Sequence, residues 1–120
     1  GGGVVRIEAS DSVVLNGTIT ASGEQAPGVH HGGGAGGSIY IACLRFSGAT
    51  NGWLKADAGG NGWGGGGGGG GRIAVWRLTH SYLGGASVNP GVRAYGPVTG
   101  EVGTIVWGRI DRKRTIFTIY

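Results

Sequence analysis

Four stretches of the chain alternate apolar and polar residues and superpose without gaps: GGVVRIEA from Gly2, GGSIYIAC from Gly36, GGRIAVWR from Gly70 and VGTIVWGR from Val102. A period of two sends successive side chains to opposite faces of an extended backbone, so each stretch predicts a β-strand. The inward positions form two columns, Val5, Ile39, Ile73, Ile105 and Ile7, Ile41, Val75, Trp107. The glycines that open the strands, Gly3, Gly37, Gly71 and Gly103, are separated by 34, 34 and 32 residues. A weaker repeat lies between them: GTITASG ending at Gly23, GWLKADAGG ending at Gly60 and GVRAYG ending at Gly96. It predicts a second strand in each unit, with inward columns Ile19, Leu54, Val92 and Ala21, Ala56, Ala94, and an outward polar column Thr20, Lys55, Arg93. Each unit thus reads as strand, polar turn, strand, glycine-rich arc.

A chain that repeats one strand about every 34 residues, with no helical pattern between, sets equivalent strands parallel and adjacent. The expectation is an all-β fold, a parallel β-helix or β-solenoid of three to four coils starting near residues 3, 37, 71 and 103, with residues 1–120 as a single domain. Successive coils would lie about 4.8 Å apart. Residues 64–71 are eight consecutive glycines, and they occupy the same phase of their unit as the glycine-rich residues 32–37. A flexible linker has no reason to recur in phase. Arcs without side chains can bring backbones close together, and glycine also reaches φ values closed to other residues. An alternative packs the arcs as polyproline-II-like segments into a bundle. Only two tracts are long, which confines that arrangement to a local feature of the arcs.

The runs GGGAGGSIYIACLRFSG, LKADAGGNGWGGGGGGGGRIAV and VRAYGPVTGEVGTIV resemble the glycine-rich parallel β-helix repeats of large surface and extracellular proteins of bacteria and some protists. The resemblance spans roughly residues 1–107, and it implies an extracellular stalk, fibre or adhesin rather than a defined chemistry. The tail GRIDRKRTIFTIY departs from it, because it carries no glycine arc.

Composition narrows the picture further. Glycine supplies 31 of 120 residues, yet there are three prolines and no strict triplet, which excludes collagen. Charged residues make up 13% and apolar groups recur, unlike a disordered coil. No apolar run approaches the ~20 residues of a membrane helix, so no membrane span is expected. The sequence opens on glycines with no signal peptide, as a processed or excised piece would. Net charge is +4, with Arg109, Arg112, Lys113 and Arg114 clustered near the C-terminus. That patch suits an anionic polysaccharide or a solvated turn; with no aromatic-interleaved module around it, nucleic acid is not expected as a partner.

Catalysis is not expected either. A polysaccharide-degrading β-helix enzyme needs converging carboxylates, and no two of Glu8, Asp11, Glu24, Asp57, Glu101 and Asp111 fall in one column. His30, His31 and His80 lack the spacing of a metal site, so no metal or cofactor is expected. Cys43 sits in inward phase, as a buried inert thiol. Trp53, Trp63 and Trp76 fall at outward or turn positions, where an indole can cover the glycine wall, pack on another subunit or stack on a sugar. Asn16 opens an N-glycosylation triplet with Gly17 and Thr18. The expected role is structural: a non-catalytic piece of an extracellular or cell-surface filament, stalk or surface layer. Its partners would be further copies in a homo-oligomer, or adjoining parts of a larger protein. The tail Thr115, Ile116, Phe117, Thr118, Ile119 and Tyr120 alternates as an unpaired strand and is the candidate assembly segment. The alternative is a carbohydrate-binding adhesin module.

Overall fold

The computed structural model describes residues 1–61, 64–92 and 99–110, and all regular structure among them is β-strand. The strands are β1 (Val4–Glu8), β2 (Ser12–Val14), β3 (Thr18–Thr20), β4 (Ser38–Ala42), β5 (Arg45–Gly48), β6 (Trp53–Lys55), β7 (Arg72–Arg77), β8 (Thr79–Tyr82), β9 (Gly85–Ser87) and β10 (Thr104–Arg109). The chain visits three parallel sheets in rotation: β1-β4-β7-β10, β2-β5-β8 and β3-β6-β9. In the first sheet Val5 pairs with Ile39, Ile39 with Ile73 and Ile73 with Ile105, while Ile7, Ile41, Val75 and Trp107 form the second column. Both columns follow the alignment of the four apolar strings. They face a core shared by all three sheets, in which Ile39, Ile41, Phe46, Leu54, Ile73 and Val75 are buried. Burying each such side chain contributes about 1.5–3 kcal/mol.

Two expectations are corrected. Each of the first three units carries three strands rather than two, because the polar turn after the first strand is itself β2, β5 or β8. Its inward position is filled in turn by Val13, Phe46 and His80, three residues with no common character. Second, the third copy of the last strand is β9 and not the stretch 91–96. Ala86 continues the column of Ile19 and Leu54, and Ser87 that of Thr20 and Lys55. Val92, expected inward, is 66% exposed. Arg93 and Ala94 lie outside the described residues.

Beyond the strands, each unit sends out one arm after the third sheet and brings another back to the first. The outgoing arms are residues 21–26, 56–61 and 88–92; the returning arms are residues 33–37, 65–71 and 100–103. Their hydrogen bonds repeat every three residues, the period of a polyproline II helix. Across the two layers Gly34 and Gly37 donate to Glu24 and Ala21, Gly68 and Gly71 to Gly59 and Ala56, and Gly100 and Gly103 to Gly91 and Val88. Within the returning layer Gly33 and Gly36 donate to Gly66 and Gly69; within the outgoing layer Gly23 and Ala26 donate to Asp57 and Gly60.

This geometry explains the glycine tract. A Cβ on Gly65, Gly68 or Gly71 would collide with the carbonyl of His31, Gly34 or Gly37, and one on Gly67 or Gly70 with that of Gly91 or Val88. Gly66 faces open space, and Gly69 is nearly as free. Close approach, rather than conformational freedom, is thus what the tract supplies: the one described glycine with positive φ is Gly64, at 87°. It sits at an arm tip beneath the imidazole of His30, itself at φ 67°.

Candidate interaction surfaces

The outward residues of the third sheet and of the arms that continue it form a grid of three rows. Thr18, Trp53 and Gly85 pair across the first row, and Thr20, Lys55 and Ser87 across the second. Ser22, Asp57 and Asn89 follow in the third, joined by side chains: Ser22 Oγ accepts from the Asp57 amide, and Asp57 Oδ1 accepts from the Asn89 amide at 2.7 Å. Ser87 donates its hydroxyl to Asp57 Oδ2 at 2.8 Å, and Thr20 donates to Ser22. Trp53 lies over Gly85, whose missing Cβ would strike the six-membered ring, and its indole N–H points to Ser87 Oγ at 3.4 Å. Trp53 as a residue is nonetheless 39% exposed. Lys55 makes no ion pair among the described residues.

The outer face of the first sheet repeats one of these devices. Trp76 covers Gly108 as Trp53 covers Gly85. Both outward tryptophans among the described residues thus shield a glycine of the following unit, one of the roles the sequence left open. Nearby, Arg6 pairs with Glu8 at 2.6 Å and stands 4.9 Å from the Tyr40 ring. Arg109 is exposed at the end of β10, in backbone register with Arg77. The rest of the expected basic patch, Arg112, Lys113 and Arg114, lies outside the described residues, as do Trp63 and the segment Thr115, Ile116, Phe117, Thr118, Ile119 and Tyr120.

At the corner between the first and second sheets, the Asp11 carbonyl accepts from the amides of Leu44 and Arg45, and the Leu44 carbonyl from those of Leu78 and Thr79. Arg45 clamps the Asp11 carboxylate at 2.7 Å, beside a shallow hollow lined by Leu44, Leu78 and Thr79. At the corner leading to the third sheet, Asn16 Oδ1 accepts from the Ala49 amide, and the Asn16 carbonyl accepts from Asn51. The asparagine of the glycosylation triplet therefore carries a link between units.

His80 belongs to an aromatic cluster with Phe46, Tyr82 and Trp107; the His80 and Trp107 rings are 5.1 Å apart and edge to face. Arg77 donates to His80 Nδ1 at 3.1 Å and to the Gly108 carbonyl at 2.7 Å. Partial desolvation, and then the neighbouring guanidinium, lower the imidazole's pKa although the residue is exposed, and Nδ1 is the acceptor of the Arg77 bond. Trp107 is 40% exposed, which places the inward column's last described member at the edge of the core. Cys43 is buried, and desolvation raises its thiol pKa. No group of three His, Cys, Asp or Glu among the described residues could hold a metal ion, and no helix there is long and apolar enough to cross a membrane. Comparisons with protein-family models, with curated proteins and with solved structures return no match to this chain.

Proposed function

We propose that the chain is a non-catalytic structural segment of an extracellular or cell-surface filament, stalk or surface layer. In this reading the three sheets are the sides of a glycine-rich parallel β-helix, like the repeats of bacterial and protist surface proteins, and assembly proceeds by adding units along its axis. The supporting observation is the equivalence of the units. Every strand pair joins one unit to the next in parallel register, across all three sheets and both arm layers. Among the described residues nothing pairs with the outer edges of β1 and β10, which therefore carry the same backbone donors and acceptors that inner strands use to pair. A further unit fits there, whether from the same chain or from a second copy. Side chains add little to the choice, since the arms recognise one another mainly through carbonyls and amides, with Ser22 and Asp57 as side-chain additions.

Electron microscopy and sedimentation over a concentration series test this reading. Filaments, or association that grows with concentration, are expected. Deleting residues 115–120 is expected to shorten or abolish the assemblies and leave the strands folded. An intact chain that stays monomeric at high concentration overturns the assembly role, and so does a truncated chain that assembles as well as the full one.

A further inference from the structure

We propose that the outer face of the third sheet binds an acidic polysaccharide, with a pyranose ring stacked on Trp53 and a uronate carboxylate at Lys55. The inference is independent of assembly and rests on the grid of outward residues. Same-face positions along a strand lie about 6.7 Å apart and neighbouring strands about 4.8 Å, so each cell of the grid has roughly the footprint of a sugar ring. Gly85 gives the indole a flat seat, and Trp53 as a residue remains 39% exposed, leaving surface for the C–H face of a pyranose.

Beside the indole stand Thr18, Thr20 and Ser87, with Ser22 and Asn89 in the third row of the grid, groups that exchange hydrogen bonds with equatorial hydroxyls. No Val, Leu or Ile belongs to the grid. Serine, lysine and aspartate are depleted at protein interfaces, so the composition does not suit a protein partner. One lysine is too little positive charge for a phosphate backbone. The two charges of the grid differ in availability. Asp57 has both carboxylate oxygens occupied, by Ser87 and by the Asn89 amide. Lys55 has no carboxylate partner among the described residues and stands two positions from Trp53 on the same face. A sugar seated on the indole thus brings a ring carboxylate within reach of a free ammonium, in a chain of net charge +4.

Affinity electrophoresis of the full chain through gels containing polygalacturonate, dextran or polyglutamate tests the proposal, with thermal melting as a control for folding. Retardation by polygalacturonate alone is expected. Trp53→Ala should weaken it about tenfold, and Lys55→Gln, which removes the charge and keeps most of the stem, several-fold with a smaller dependence on salt. Equal retardation by polyglutamate overturns the proposal, since charge without a sugar would suffice. Equal retardation by dextran overturns the acidic assignment. Absence of retardation, or retardation indifferent to Lys55→Gln, overturns it as well.

Discussion

At the scale of single residues, the fold separates positions that look alike in composition but differ in what surrounds them. Ile73 is 1% exposed and sits mid-column between Ile39 and Ile105. Ile73→Asp would bury an unpaired charge and is expected to cost several kcal/mol, enough to unfold a domain of ordinary stability. Thr20→Asp, on the outward face, is expected to shift the melting temperature little. Comparable melting of the two variants would refute the register. The alternation of Ile39 and Ile41 made this part readable from sequence, because a half-buried strand writes its two faces directly into the chain. Trp53 and Trp76 were readable as outward residues, with covering the glycine wall one of three roles, but not which glycine each covers. Their partners, Gly85 and Gly108, carry no side chain and hence no signal; only the unit-to-unit register reveals the match.

Among the elements, legibility follows from how many residues a strand shares with its equivalents. The first sheet keeps aliphatic residues inward over its strands, Trp107 excepted, so alignment found it. The second sheet does not, since Val13, Phe46 and His80 satisfy one position with an aliphatic, an aromatic and an imidazole group. β9 offers only Gly85, Ala86 and Ser87, too little to outweigh the better-looking GVRAYG downstream. The arms were visible as glycine in phase, whereas their three-residue period was not, because a run of identical residues cannot display a period. Substitution restores the missing contrast. Gly68→Ala would drive a Cβ into the Gly34 carbonyl and is expected to lower stability by several kcal/mol. Gly66→Ala faces open space and is expected to be neutral, or stabilising by about 0.4–1 kcal/mol through the unfolded chain. Melting curves for the two variants that coincide would disprove the facing pattern.

For the molecule as a whole, the hydrogen bonds among the described residues link each unit to its neighbours. Ser38 and Arg72 are register partners. Deleting residues 38–71 therefore joins Gly37 to Arg72 at equivalent points and keeps every remaining strand in phase. The shortened chain is expected to retain its β-sheet circular dichroism and a single cooperative melt at lower temperature, as nearest-neighbour stacking implies. Removing residues 38–54 instead joins Gly37 to Lys55 and puts the outgoing arm opposite β1 in place of a first-sheet strand, and loss of the folded spectrum is expected. Survival of both deletions would show that register does not govern this fold.

The hydrogen-bond relay in the arms runs from Glu24 through Gly34, Gly59, Gly68 and Gly91 to Gly100, crossing from layer to layer at 2.8 to 3.3 Å. Because it is written wholly in main-chain atoms and closes every third residue, arm length is quantised. An arm grows by three residues, or about 9 Å at a rise of 3.1 Å, and every glycine still meets its carbonyl; an insertion of one or two turns the open positions inward. Reach away from the sheets is thus a dimension that insertion and deletion can adjust in whole steps, with no core residue consulted.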